Sequence, residues 1–170
     1  YANFWNELGD ILKEGVVEDF SYRDAVLKLL RFASTENKDT TENVSLDDYI
    51  SRMKDKQDKI YYITGESYSA VKNSPHLELF RKEGVEVLLM HSRIDEWMMG
   101  HVQEYDGKKF QSVAKGKLDL GQDDKKDQEP SAEDKFFLEK VQKHLKDHVS
   151  EVTASSRLVD SASCLVMDEH

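Results

Sequence analysis

Two short apolar, β-prone runs constrain this chain more than anything else in it: Ile60 to Thr64 (Ile-Tyr-Tyr-Ile-Thr) and Val85 to Met90 (Val-Glu-Val-Leu-Leu-Met). Their branched and aromatic side chains suit the pleated surface of a buried sheet. Two helix-like stretches lie between them, so the runs should pair in parallel through a right-handed crossover, since parallel neighbours cannot be joined by a tight turn. The second stretch carries its own punctuation. Ser74 stands where an N-cap belongs, Pro75 where a missing N–H costs nothing, and Gly84 where a left-handed residue ends a helix. Arg93 to His101 reads as a further helix and Lys108 to Val113 as a third, edge-type strand. The expected architecture is α/β: a small α/β/α sandwich, Rossmann-like with a mostly parallel sheet.

The chain before these strands reads as helices. Phe4, Leu8, Ile11 and Leu12 share one helical face, and Gly15 stands where a C-terminal left-handed residue would end it. Ser21 and Asp24 have capping-box spacing, followed by an apolar stripe of Tyr22, Val26, Leu29, Leu30 and Ala33 that should stop near Ser34. Ser45 and Asp48 repeat the arrangement ahead of Leu46, Tyr49, Ile50 and Met53. Residues 1–56 are therefore expected as a helical bundle and 57–117 as the sandwich.

Residues 118–133 read as an acidic linker, with Asp123 to Glu129 its flexible part, because the hydrophobic signal gives way to Gly, Asp, Lys and Gln. Residues 134–170 then begin a second, partial α+β unit. Phe137, Val141, Leu145 and Val149 form an amphipathic helix, and Glu151 to Ala154 and Cys164 to Met167 look like strands. Tyr1 already stands inside an amphipathic pattern, and His170 follows an apolar run without a closing element, so the expectation is a piece of a longer protein.

Charge excludes one class of partner. The formal net charge is −10, and the basic residues are interleaved with a larger number of acids. A phosphate backbone needs clustered Lys and Arg, so nucleic acid is not expected. Neither is a membrane, since no apolar run approaches the ~20 residues a bilayer crossing needs. The single cysteine, Cys164, rules out an internal disulfide framework; in its apolar run it should behave as a small buried hydrophobe.

Three constellations could carry chemistry. Gly65-Glu66-Ser67-Tyr68-Ser69 follows a strand and opens a helix, the setting of a hydrolase nucleophile elbow, and a serine hydrolase using Ser67 is the alternative enzyme reading. The elbow needs a small residue where Ser69 stands, so Ser67 is read as a helix cap. His144 and His148 are four apart, as two zinc-binding imidazoles would be, but Leu145 replaces the general base of that motif, and both are read as solvated. No glycine-rich phosphate loop follows either strand, so no cofactor is expected in this chain. Arg93-Ile94-Asp95-Glu96-Trp97-Met98-Met99 gathers the side chains that bind other proteins best, although the spacing of Ile94, Trp97 and Met98 at i, i+3 and i+4 by itself favours packing against the sheet.

Several segments together resemble the ninety-kilodalton heat-shock protein chaperones: Leu29-Leu30-Arg31-Phe32-Ala33-Ser34, Val44-Ser45-Leu46-Asp47-Asp48-Tyr49, Arg52-Met53-Lys54 and Lys59-Ile60-Tyr61-Tyr62-Ile63-Thr64. Ser74-Pro75-His76-Leu77-Glu78, the Arg93 to Met99 helix and Phe110-Gln111-Ser112-Val113 look more like the bacterial members, and Arg157-Leu158-Val159 looks like the start of the family's C-terminal domain. The resemblance implies the C-terminal part of a middle domain over 1–117 and the beginning of a C-terminal domain over 134–170. It implies a cytoplasmic, homodimeric, ATP- and Mg-dependent chaperone that remodels unfolded or non-native clients. The nucleotide site, the arginine that reaches the nucleotide and the dimerising helices would all lie outside this chain, which by itself would be no enzyme. The family's client-contact region falls on Glu96 and Trp97, with Met98 and Met99 beside them. A purely structural spacer between domains is the remaining alternative and would bury Trp97.

Overall fold

The computed structural model describes residues 1–37, 39–116, 118 and 130–168. Helices α1 (Ala2–Glu18), α2 (Arg23–Leu27) and α3 (Leu46–Ser51) precede the main strands β2 (Lys59–Thr64) and β3 (Leu88–Met90), with a two-residue strand β1 (Ala33–Ser34) between α2 and α3. The crossover from β2 to β3 contains α4 (Tyr68–Lys72), a 3₁₀ turn (Pro75–Leu77) and α5 (Glu78–Glu83). Helix α6 (Arg93–Met99), the hairpin β4 (Glu104–Tyr105) and β5 (Lys108–Ser112), and α7 (Ala132–Leu145) follow.

The sheet runs β1-β3-β2-β5-β4. The central strands β3, β2 and β5 are parallel, and both edges are antiparallel. The expected parallel pairing of the two apolar runs is present, with Tyr62 opposite Leu88 and Thr64 opposite Met90. Only Leu88–Met90 of the second run ladders as strand. The third strand is not the edge expected of it. The chain folds back through Asp106 (φ 48°) and Gly107 (φ 72°), the paired left-handed conformations of a type I′ turn, and the short β4 takes the outside position.

Alternation along the strands feeds two cores. Ile60, Leu88 and Met90 face one cluster with Trp5, Phe32, Leu46, Tyr49 and Met98, whereas Tyr61, Ile63 and Leu89 face the other with Val71, Leu77 and Phe80. Helices α1, α3 and α6 thus cover one face and α4 and α5 the opposite one. The first 56 residues do not stand apart as a bundle, because their apolar residues share the sheet's own core. Tyr49 ties these layers together: its hydroxyl donates to the Glu86 carbonyl (2.8 Å) and accepts from the Tyr61 amide and the Gln57 side chain (both 2.9 Å). Burial pushes that phenol's pKa well above its ordinary value.

Local signals held where they were self-contained. Ser45 and Asp48 form the capping box of α3, Ser74 and Pro75 open the 3₁₀ turn, and Gly84 closes α5 at φ 62°. Others failed. Helix α1 runs through Gly15 to Glu18 and buries Trp5, Gly9, Lys13, Val16 and Val17, leaving Phe4, Leu8 and Ile11 exposed. The Ser21–Asp24 box does not form, because the Ser21 amide donates to Asp19 (2.9 Å) and α2 lasts only five residues. The stripe that should have continued as helix to Ser34 ends in β1, since Ala33 and Ser34 complete the sheet beside β3.

Only Leu118 and the stretch from Pro130 to Glu133 of the expected linker are described; Asp123 to Glu129 lie outside the described residues. Helix α7 forms on a Ser131–Asp134 capping box, yet buries none of its residues. Neither Glu151 to Ala154 nor Cys164 to Met167 is a strand. The second run makes one parallel bridge, Met167 to Lys115, and leaves Leu165 and Met167 exposed; Met167 exchanges backbone bonds with Ala114 and Gly116, and His76 meets the Leu165 carbonyl.

Candidate functional site

Helix α6 is built to show one face and bury the other. Ser92 caps it by accepting from the Ile94 amide (3.4 Å), and Asp95 Oδ2 returns a bond from the Ser92 amide (3.0 Å). Asp95 is 0% exposed, and its Oδ1 lies 2.8 Å from Lys13 Nζ of α1, a lysine that is itself 1% exposed. The same ammonium stands 5.5 Å from the Trp5 ring and 5.6 Å from the Phe32 ring, with Glu42 Oε1 at 3.9 Å. Glu42 Oε2 accepts the Trp5 indole N–H (2.7 Å). A charge taken out of water survives only where it is paired, and here the pair clamps α6 onto α1.

With Asp95 and Met98 turned inward, helical rotation puts Glu96 and Trp97 outside and leaves Ile94 and Met99 half-buried. Trp97 is 42% exposed, so the packing role that spacing alone assigned to it does not hold. Its ring sits 5.4 Å from that of His101, whose Nδ1 is 2.9 Å from the Trp97 carbonyl. Burial raises the pKa of the Tyr62 phenol, and the charge of Glu96 adds to the rise. Of the four residues read as a client surface, Glu96, Trp97 and part of Met99 are accessible, whereas Met98 lies in the core beneath them.

A second constellation was not anticipated. Arg157, buried against the sheet's end, donates to the carbonyls of Val113 (3.2 Å) and Gly116 (2.7 Å), and its Nη1 lies 3.3 Å from His76 Nδ1. The other nitrogen of His76 is 3.0 Å from the Leu165 carbonyl. Glu78, at the start of α5, accepts the amides of Val159 (2.7 Å), Asp160 (2.9 Å) and Ser161 (3.1 Å), together with the Ser161 hydroxyl. These bonds favour the ionised carboxylate and hold its pKa down at about 2. The C-terminal segment is thereby fastened to the α5 side of the sandwich. The only sequence signal for it was Arg157-Leu158-Val159, which carried family resemblance without a partner.

The His76 contact has a pH sign. Burial, then the adjacent Arg157 charge, lowers the His76 pKa from its ordinary value of about 6.5. The docked state therefore prefers neutral imidazole, with Nδ1 accepting from Arg157 and Nε2–H donating to Leu165. Stability from this contact is complete above about pH 6.5 and is lost as pH falls through the lowered value. Glu78 stays ionised throughout that window, and the Cys164 thiol, pushed up chiefly by burial, stays neutral. Protection factors of residues 155–168 against hydrogen exchange, taken relative to the intrinsic rate at each pH, are expected to fall between about pH 7.5 and 5.5, and His76→Gln to flatten that dependence; an unchanged slope in the variant would assign the effect elsewhere.

The remaining candidates resolve simply. Ser67 caps α4 by accepting from the Ala70 amide (3.2 Å), with no imidazole among its partners in the described residues. His144 and His148 are exposed, and His148 lies past the end of α7. Among the described residues no group of three or more His, Cys, Asp or Glu is placed to hold a metal, and no helix is long and apolar enough to cross a membrane. Cys164 is half-buried rather than buried.

A parallel-cored α/β sandwich that clamps a helix so as to present a tryptophan matches known proteins throughout. The family described as Hsp90 protein matches residues 1–170. The chaperone protein HtpG of Chromobacterium violaceum is 56% identical over 175 aligned residues, covering 100% of this chain and 28% of that protein. HtpG of Legionella pneumophila strain Paris is 51% identical over 173, covering 99% of this chain and 27% of its own length. The middle domain of a Plasmodium falciparum heat shock protein superposes with a TM-score of 0.60 at 35% identity, over 66% of this chain and 47% of that one. The chain belongs to the Hsp90 family of chaperones. It spans little more than a quarter of the length of the bacterial HtpG relatives it matches.

Proposed function

We propose that this chain supplies a contact surface for non-native polypeptide within an ATP-driven, dimeric chaperone of the cytoplasm, and that it couples the middle domain to the C-terminal one. The observation that carries the reading is Trp97, a large rigid apolar side chain left accessible on a helix that a buried ion pair holds in place. Side chains of this kind dominate binding energy, because they cover much area at little entropic cost. Glu96 beside it and the −10 net charge favour basic segments and keep contact reversible. The docking of Arg157 and by Glu78 supports the coupling role. A serine hydrolase has no support from the geometry around Ser67. The chain has no glycine-rich phosphate loop, so ATP and Mg²⁺ enter this reading only as ligands of the rest of the protein.

Trp97→Ala is expected to weaken binding of an unfolded client about tenfold, as a hot-spot truncation does, while shifting the melting temperature by only a few degrees. Titration of a Trp5→Phe variant, in which Trp97 alone reports, should give a saturable fluorescence change with an unfolded client and none with a folded control. Unaltered client affinity in Trp97→Ala would reduce the segment to a spacer, and a collapse of stability would place Trp97 in the core.

A further inference from the structure

The surface around Trp97 does not end at α6. The Trp97 ring meets His101, and the His101 carbonyl accepts from Arg23 Nη1 (3.3 Å). Arg23 is anchored by its Nε donating to the Val16 carbonyl (2.9 Å), and its guanidinium stacks 4.1 Å above the centroid of the Phe20 ring. Phe20 is 71% exposed. Trp97, His101, Arg23 and Phe20 are thus successive contacts joining α6 to the turn between α1 and α2. Two of the guanidinium's nitrogens donate to backbone carbonyls, Nη2 is buried without a hydrogen-bond partner among the described residues, and the face lies on the ring, so the group holds Phe20 instead of offering an exposed charge. An apolar ring this exposed, yet held in one position by a stacked cation, loses little freedom on binding.

The charge beside this strip points to its occupant. Asp24 adjoins Arg23 and lines one concavity with Asp47, Glu104 and Asp106, where Lys28 is the one cation among the described residues. Glu96 stands at the Trp97 end. Aromatic positions flanked by carboxylates match an extended segment that alternates apolar and basic residues.

We infer that Phe20 and Trp97 are the two ends of one binding strip, and that its partner is an extended, basic, aromatic-containing stretch of non-native polypeptide. This rests on the proposed reading of Trp97 and adds a second anchor, an orientation across the α1–α2 turn and a charge preference. At a rise of ~3.3 Å per residue, a handful of extended residues covers such a strip, so one short segment can engage both rings.

The test uses the intact protein and two fluorescently labelled peptides of about 12 residues, one alternating Phe with Lys and the other Phe with Glu, followed by anisotropy. Phe20→Ala and Trp97→Ala are each expected to weaken the Lys peptide about five- to tenfold, with Phe20→Leu retaining most of the affinity, and the Glu peptide should bind at least tenfold more weakly than the Lys peptide. A benzoylphenylalanine photo-crosslinker at position 20 should capture the Lys peptide. Full affinity in Phe20→Ala together with a tenfold loss in Trp97→Ala would overturn the strip and leave the Trp97 reading standing. No effect of either substitution would end both. Crosslinking from position 20 into the protein's own chain would show that Phe20 is already covered, and equal binding of the two peptides would remove the charge preference; either result overturns the inference.

Discussion

Lys13→Met is expected to destabilise the fold by about 3–5 kcal/mol, the penalty for leaving a buried charge without its counter-charge. Asp95 would remain fully enclosed, its Oδ1 facing a thioether stem in place of an ammonium at 2.8 Å. A domain of this size has a total stability of about 5–15 kcal/mol, so the variant should be substantially unfolded at physiological temperature or in low urea. The partner substitution separates the charge from the packing. Lys13→Met combined with Asp95→Leu removes both charges and should recover most of the loss, because hydrophobic replacements of buried ion pairs are commonly neutral or better. Urea titrations of the wild type, both single variants and the double variant form the cycle. Additive losses would mean that the two side chains do not interact, and a loss below about 1 kcal/mol in Lys13→Met would mean that water reaches Asp95.

The second large effect is expected at Arg157. Arg157→Met withdraws donors from the carbonyls of Val113 and Gly116 and from His76, all on the buried side of the contact. Hydrogen bonds to a charged group contribute about 1.5–3 kcal/mol each, and losing them together should cost the docked segment about 2–4 kcal/mol. The expected readout is local. The amides of Val159, Asp160 and Ser161 should lose protection against hydrogen exchange, and proteases should cut between 155 and 168, while Ile60 and Leu88 in the central strands stay protected. Global unfolding would show that the segment is integral to the sandwich, and undiminished protection would show that Glu78 alone suffices to hold it.

These two sites were the least legible in the sequence, for the same physical reason. A cap, a helix stop or a buried strand is announced by residues within a few positions of one another, as Ser45 with Asp48 or Pro75 with Gly84 were. Lys13 meets Asp95 and Arg157 meets His76 only after the chain has folded, so no local spacing announces them. Helix α1 carries apolar residues on two faces, Phe4, Leu8 and Ile11 on one and Trp5, Val16 and Val17 on the other. Periodicity showed that a face is buried without showing which. Lys13 hides the inner face from periodicity, because it stands in register with Gly9, Val16 and Val17 and puts a charge among the residues that are buried. On α6 the same logic explains Trp97. Spacing gave the inner positions to the apolar side chains, but Lys13 makes the interior hospitable to Asp95, and that choice turns Trp97 to the surface.

Glu78 grips backbone amides rather than side chains, apart from the hydroxyl of Ser161. Every residue type except proline carries such an amide. Mutational drift across 159–161 is therefore largely invisible to this contact, whereas drift at Glu78 or Arg157 is not. Selection on the joint should fall unevenly: a strict demand on two side chains, and on the segment they hold little more than the exclusion of proline.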